Sequence, residues 1–199
     1  MSTGRLESFS DGVIAVAATL LVLNITLPSL TSGETLIHGL LAQWPKYAAY
    51  VVSFITIGII WINHHAMISR LGRADRAILI LNLVLLMAIA VLPFATSLLA
   101  TYLKQGGHYA NLAAGVYSGS FLVMSVAFAT LNRHILMRKA HLLGEDLSAE
   151  RRRQILGRGV AGVLPYALAT ALAVVSPYVT LVICGAVAVF YASPLGSGG

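Results

Sequence analysis

Charge is nearly absent from six long stretches of this 199-residue chain, and that feature constrains what it can become more than any other. Residues 12–27, 47–68, 77–103, 109–132, 159–175 and 178–193 contain no Asp, Glu, Lys or Arg. The first four are long enough to cross a hydrocarbon core of ~30 Å as helices. A soluble fold is excluded by the same numbers: 58% of residues are apolar and only 10% charged, against about 45–50% and 25% in soluble domains. The expected class is therefore all-α, a polytopic membrane protein.

The last two stretches are near 16 residues each and are separated by Ser176-Pro177. One straight helix of their combined length would overshoot the bilayer, and Pro177 would break it, so they read as a tight hairpin. Six transmembrane helices are expected, with five as the fallback. They form a single domain over 1–193, and 194–199 reads as a flexible tail or a cloning remnant.

Loop charges orient the spans. The N-terminus and the loops after spans 2 and 4 hold Arg5, Arg70, Arg73, Arg76, Arg133, Arg138, Lys139, Arg151, Arg152, Arg153 and Arg158, which is 11 of the 13 basic residues. The alternate loops hold Lys46 and Lys104. The positive-inside rule then puts both termini in the cytoplasm. It also accounts for the net charge of +6 without nucleic acid. The charge alternation works only if the first stretch is retained as a helix rather than removed as a signal peptide. Residues 140–158 read as a cytoplasmic linker with Ser148 capping a short polar helix.

Polar residues inside the spans are the candidates for function, because lipid penalises them. Span 1 opens Arg5-Leu-Glu-Ser-Phe-Ser-Asp-Gly, span 2 closes Trp61-Ile-Asn-His64-His65, and span 3 carries Asn82. Alternating direction puts all three near the cytoplasmic end. Ser10, Asp11, Trp61, His64 or His65, and Asn82 can therefore form one polar belt joining spans 1 to 3, largely satisfied by its own members. The belt can be structural, pinning the rotation of span 1, or it can take part directly in transport or gating. Beyond it, Val13, Val16, Leu20, Leu23 and Leu27 recur as a narrow stripe along one helical face, with Thr19 close behind Val16.

Arg5-x-x-x-Phe9-Ser10-Asp11, continuing Gly-Val-Ile-Ala-Val-Ala-Ala-Thr-Leu-Leu-Val-Leu, resembles the signature of the lysosomal-type potassium channel family, the transmembrane protein 175 family. Chain length, span number and Trp61-x-x-His64 match its prokaryotic branch. The resemblance implies a potassium-preferring cation channel of a bacterial inner membrane, a homotetramer with four copies of the first helix around a central pore. It implies a constriction at Val16, further apolar rings at Leu20 and Leu23, and hydroxyls from Thr19. Val16 is shorter than the Ile or Leu often found at that position. Arg5, Phe9, Ser10 and Asp11 would anchor the helix, with Trp61 and His64 as neighbours. No Thr-Val-Gly-Tyr-Gly carbonyl filter occurs, and potassium is the permeant ion rather than a cofactor.

Two other readings stand beside it. Asp11 and His64 could serve as the relay of a proton-coupled secondary transporter. His64 and His134 lie on the same side of the membrane, which permits a haem between spans 2 and 4. Adjacent His64 and His65 point roughly 100° apart on a helix and cannot both face one metal ion. No Ser/His/Asp set, phosphate loop or paired acidic motif supports an enzyme, and no internal repeat supports a transporter of inverted halves.

Overall fold

The computed structural model describes residues 3–29, 33–144 and 147–193; the 194–199 tail lies outside the described residues. The described chain is helical, with one isolated antiparallel bridge, Leu71 to Leu143. Helix α1 (Thr3–Leu20) tightens into a 3₁₀ turn over Leu21–Asn24. It is followed by α2 (Leu36–Ala42), α3 (Trp44–Ile68), α4 (Arg76–Ala90), α5 (Leu92–Tyr102) and α6 (Gly107–Arg133). A π turn (His134–Arg138) closes α6, and α7 (Ala149–Ala161), α8 (Val163–Leu172) and α9 (Pro177–Ala192) complete the chain. Thr3–Asn24, Trp44–Ile68, Arg76–Gln105, Gly107–Arg138 and Ala149–Leu172 are long and apolar enough to cross a membrane, and Pro177–Ala192 is a shorter apolar helix.

The departures from the expected boundaries have local causes. Span 1 begins at Thr3, earlier than its apolar stretch. It stops at Asn24, so Leu27 leaves the helical stripe; Pro28 disfavours the helical region for the residue before it. Span 3 is two helices that meet at Val91. Pro93 lacks an N–H and its ring crowds the carbonyl four residues back, at Ile89. Pro165 stands in the same relation to Ala161, where α7 gives way to α8. At the hairpin Ser176 caps α9 through Val179 N at 3.4 Å, with Pro177 in the first turn.

Helix α6 is the hub, packed against α4, α5, α8 and α9. Its Gly115 and Gly119 face Ala173 and Thr170, the close approach that small residues permit between helices in lipid. Tyr117 and Phe121 are fully buried, their rings edge-to-face at 4.8 Å. Tyr117 also shares a buried hydroxyl cluster with Ser53 and Thr96, at 3.1 Å from Ser53 and with 2.8 Å between Ser53 and Thr96. Sequence reading gave no hint of this cluster, since none of its members carries a charge.

The loop after α3 and the segment after α6 are zipped together. Gly72 N donates to Leu142 O and Gly144 N donates to Arg70 O, each at 2.8 Å. Lys139 pairs with Asp75 at 2.8 Å, while Asp75 caps α4 through Ile78 N at 2.9 Å. Both partners hold the Asp75 carboxyl below the ordinary carboxylate range. Ser148 caps α7 through Arg151 N at 3.2 Å, as its sequence pattern predicts.

Candidate pore helix and its anchoring network

The two faces of α1 differ completely. Leu6, Ser10, Ile14, Ala17 and Leu21 are buried against the rest of the chain, where α1 packs on α3 and α4. The opposite face has no partner among the described residues. Phe9 is 54% exposed, Val16 57%, Leu20 42% and Leu23 68%, against 2% for Ile14. Gly12 and Thr19 are exposed on this same face. A shallow concavity runs along it from Ser8 to Leu20 and is bordered by Ala90.

Val16, Leu20 and Leu23 of the expected stripe lie on the open face, whereas Val13 is half-buried against the core and Leu27 stands beyond the end of the helix. Val16 and Leu20 stand on regular α-helix, whereas Leu23 stands on the tighter 3₁₀ turn. The Thr19 hydroxyl donates back to Val16 O at 2.9 Å, so its proton is committed to its own helix. Asn24 ends the helix by donating from Nδ2 to Pro93 O at 3.3 Å, beside the α4–α5 break.

The polar belt has the predicted members but is two networks rather than one. The first is buried. Asn82 Nδ2 donates to Ser10 Oγ at 2.9 Å, and Asn82 Oδ1 lies 2.8 Å from His64 Nε2, which donates to it. Ser10 passes its own proton to Leu6 O at 2.8 Å. Ser10, Asn82 and His64 are all fully buried. One amide thus joins α1, α3 and α4, and the Nδ1 of His64 is left without a partner.

The second network is exposed. Trp61 Nε1 donates to Asp11 Oδ1 at 2.9 Å, and His65 Nδ1 meets Glu7 Oε1 at 2.7 Å. Glu7 and Asp11 are four residues apart on α1, as are Trp61 and His65 on α3, so two matched faces meet. The choice between His64 and His65 resolves into one histidine for each network. Asp11 and His64, the relay of the transporter reading, sit in separate networks. His64 Nε2 is occupied by Asn82, which leaves that nitrogen unavailable to a haem iron. Arg5 and Phe9, expected as anchors, are exposed, and Arg5 has no ion pair among the described residues. No cluster of three or more His, Cys, Asp or Glu that could hold a metal occurs among the described residues.

The structure is thus an apolar multi-pass bundle whose first helix is pinned by a buried amide on one side and left bare on the other. The family model described as "Endosomal/lysosomal potassium channel TMEM175" matches residues 5–93, which take in both networks. A potassium channel of Streptomyces collinus is 45% identical over 95% of this chain and 91% of its own length. A potassium channel of Chamaesiphon minutus is 38% identical over 96% of this chain and 93% of its own. The crystal structure titled as a lysosomal potassium-selective channel TMEM175 homolog from Chamaesiphon minutus superposes with a TM-score of 0.85 at 37% identity, covering 99% of this chain and 98% of that one.

This chain belongs to the TMEM175 potassium channel family. It is a multi-pass membrane protein of an ion channel family, and that family is not one of enzymes.

Proposed function

We propose that this chain is a potassium-preferring cation channel of a bacterial inner membrane, in which four copies of α1 surround a central pore. Six spans place both termini in the cytoplasm. Val16 forms the narrowest ring, with apolar rings at Leu20 and Leu23 beyond it and Thr19 beside the constriction. The observation that carries this reading is the bare apolar face of α1 opposite a face anchored within the subunit. A subunit this small has little room for a private aqueous path, and symmetric assembly around one helix supplies a shared one.

A ring of apolar side chains conducts when wide enough to stay wet and closes by dewetting when narrow. Its selectivity then follows from the ease with which ions shed water. Potassium holds its hydration shell less tightly than sodium, so it passes preferentially without coordinating carbonyls. The preference is modest, and Asp11 near the entrance biases it towards cations. Potassium and sodium flux through purified protein in liposomes, at zero pH gradient, tests the reading. Passive flux faster for potassium supports it, and flux only under a proton gradient overturns it.

A further inference from the structure

The end of the molecule that carries the strap between the α3–α4 loop and the segment after α6 is rich in basic residues. Residues 69–76 and 133–153 together hold nine Lys or Arg against four carboxylates. The strap joins residues 70–73 to 142–144: Arg70 O accepts from Gly144, and Arg73 N lies 3.4 Å from Leu142 O. Among the described residues one ion pair occurs there, Lys139 with Asp75. Arg73, Arg76, Arg133, Arg138, Arg151 and Arg153 are exposed and have no carboxylate partner among the described residues.

We propose that this platform is a binding surface for the headgroups of anionic phospholipid, of the phosphatidylglycerol type, in the leaflet it faces. Guanidinium groups offer planar pairs of N–H donors that match phosphate oxygens, and desolvation at the headgroup level strengthens such bonds. A bilayer is favoured over a dissolved polyanion by position and by neighbours. The arginines lie at the ends of the membrane-length segments Trp44–Ile68, Arg76–Gln105, Gly107–Arg138 and Ala149–Leu172. Met137, beside Arg138, and Val160, at the end of α7, are each 58% exposed and offer apolar surface for the acyl chains next to the charge. The surface is also mechanically connected to the proposed pore. Asp75 on the strap caps α4, and Asn82 two turns further along α4 holds Ser10 of α1.

The proposal takes its leaflet from the orientation proposed above, but its test does not depend on conduction. Full-length protein in neutral detergent is titrated with dioleoylphosphatidylglycerol, dioleoylphosphatidylcholine or glycerol phosphate, and thermal unfolding is followed. Phosphatidylglycerol should raise Tm while phosphatidylcholine and glycerol phosphate leave it in place. High salt should abolish the shift, as should the combined variant R73Q/R138Q/R151Q/R153Q. Equal shifts from both lipids overturn the proposal, as does a shift that survives high salt or the four substitutions. An equal shift from glycerol phosphate reassigns the platform to soluble phosphates and likewise overturns it. Where the glutamine variant does not fold, the salt dependence of the unmodified chain decides alone. Liposome flux on the same protein reports separately on the channel reading.

Discussion

The side chains of His64 and Asn82 meet at 2.8 Å in a fully buried site, and the far end of the same amide reaches Ser10 on the first helix at 2.9 Å. Asn82 is used here as a two-ended connector. Its carbonyl oxygen faces α3 and its NH₂ faces α1, so each helix is held by the complementary half of one group. Loss of either partner leaves a polar atom in a fully buried site, where its desolvation is not repaid.

Replacing Asn82 by Leu strands His64 Nε2 and frees Ser10, so stability should fall by about 1–3 kcal/mol. Ser10→Ala should cost less, because it removes one hydroxyl of the same chain of bonds. The double variant should be less unstable than the two losses combined, since both substitutions break one shared bond. Thermal unfolding of the three variants in one detergent measures this. Strict additivity would contradict the shared-bond geometry.

Val16 and Ile14 separate the roles of the two faces of α1. Val16→Asn adds an amide to an open face and should leave Tm nearly unchanged, while raising conductance and weakening the preference for potassium over sodium. Ile14→Asn places the same amide in the buried face and should destabilise by about 1–3 kcal/mol through an unsatisfied polar group. Melting curves and liposome flux on both variants distinguish the faces. A Val16→Asn protein with unaltered flux would remove Val16 from the pore.

Trp61→Phe deletes the Nε1 donor to Asp11 and keeps the aromatic bulk. Both groups are partly exposed, so the stability cost should stay near the ~0.5–1.5 kcal/mol of an ordinary hydrogen bond. Flux should change more than stability, because Asp11 sits at the proposed entrance and loses its fixed orientation. Comparison with Trp61→Leu, which removes the ring as well, tests whether the bond or the bulk matters.

Acid should loosen the strap through Asp75. Lys139 and the Ile78 amide depress its carboxyl in the folded chain, so its contribution is fully present above the ordinary carboxylate pKa and is lost as pH falls through the folded value. Wild type should therefore melt above Asp75→Asn at neutral pH, and the gap should close in strong acid. Tm measured from neutral pH down into the acid range for both proteins checks the sign. The gap should be small because the pair is partly exposed.

Much of this was legible in the chain because lipid punishes charge. The uncharged runs marked the spans, and the rare polar residues within them marked the contacts among α1, α3 and α4. Depth orders residues along the membrane normal but does not say which helical face they share, so the sequence implies one continuous belt where the structure has two networks. The missing signal was present as paired four-residue spacings, Glu7 with Asp11 and Trp61 with His65, which place the exposed network on one side of each helix. Ser53, Thr96 and Tyr117 were invisible for the opposite reason, since neutral hydroxyls scatter through apolar runs without a pattern. The strap between residues 70–73 and 142–144 is made by backbone groups, to which side-chain motifs are blind.

The buried half of α1 has one more consequence. Ser10, Asn82 and His64 all belong to a single chain, so the rotation of the first helix is set by bonds within that chain. Neighbouring copies in an assembly would then determine how far apart their first helices stand, but not which residues those helices show to one another. Exposed positions of the first helix could change one at a time in evolution without disturbing the bonds that set its rotation.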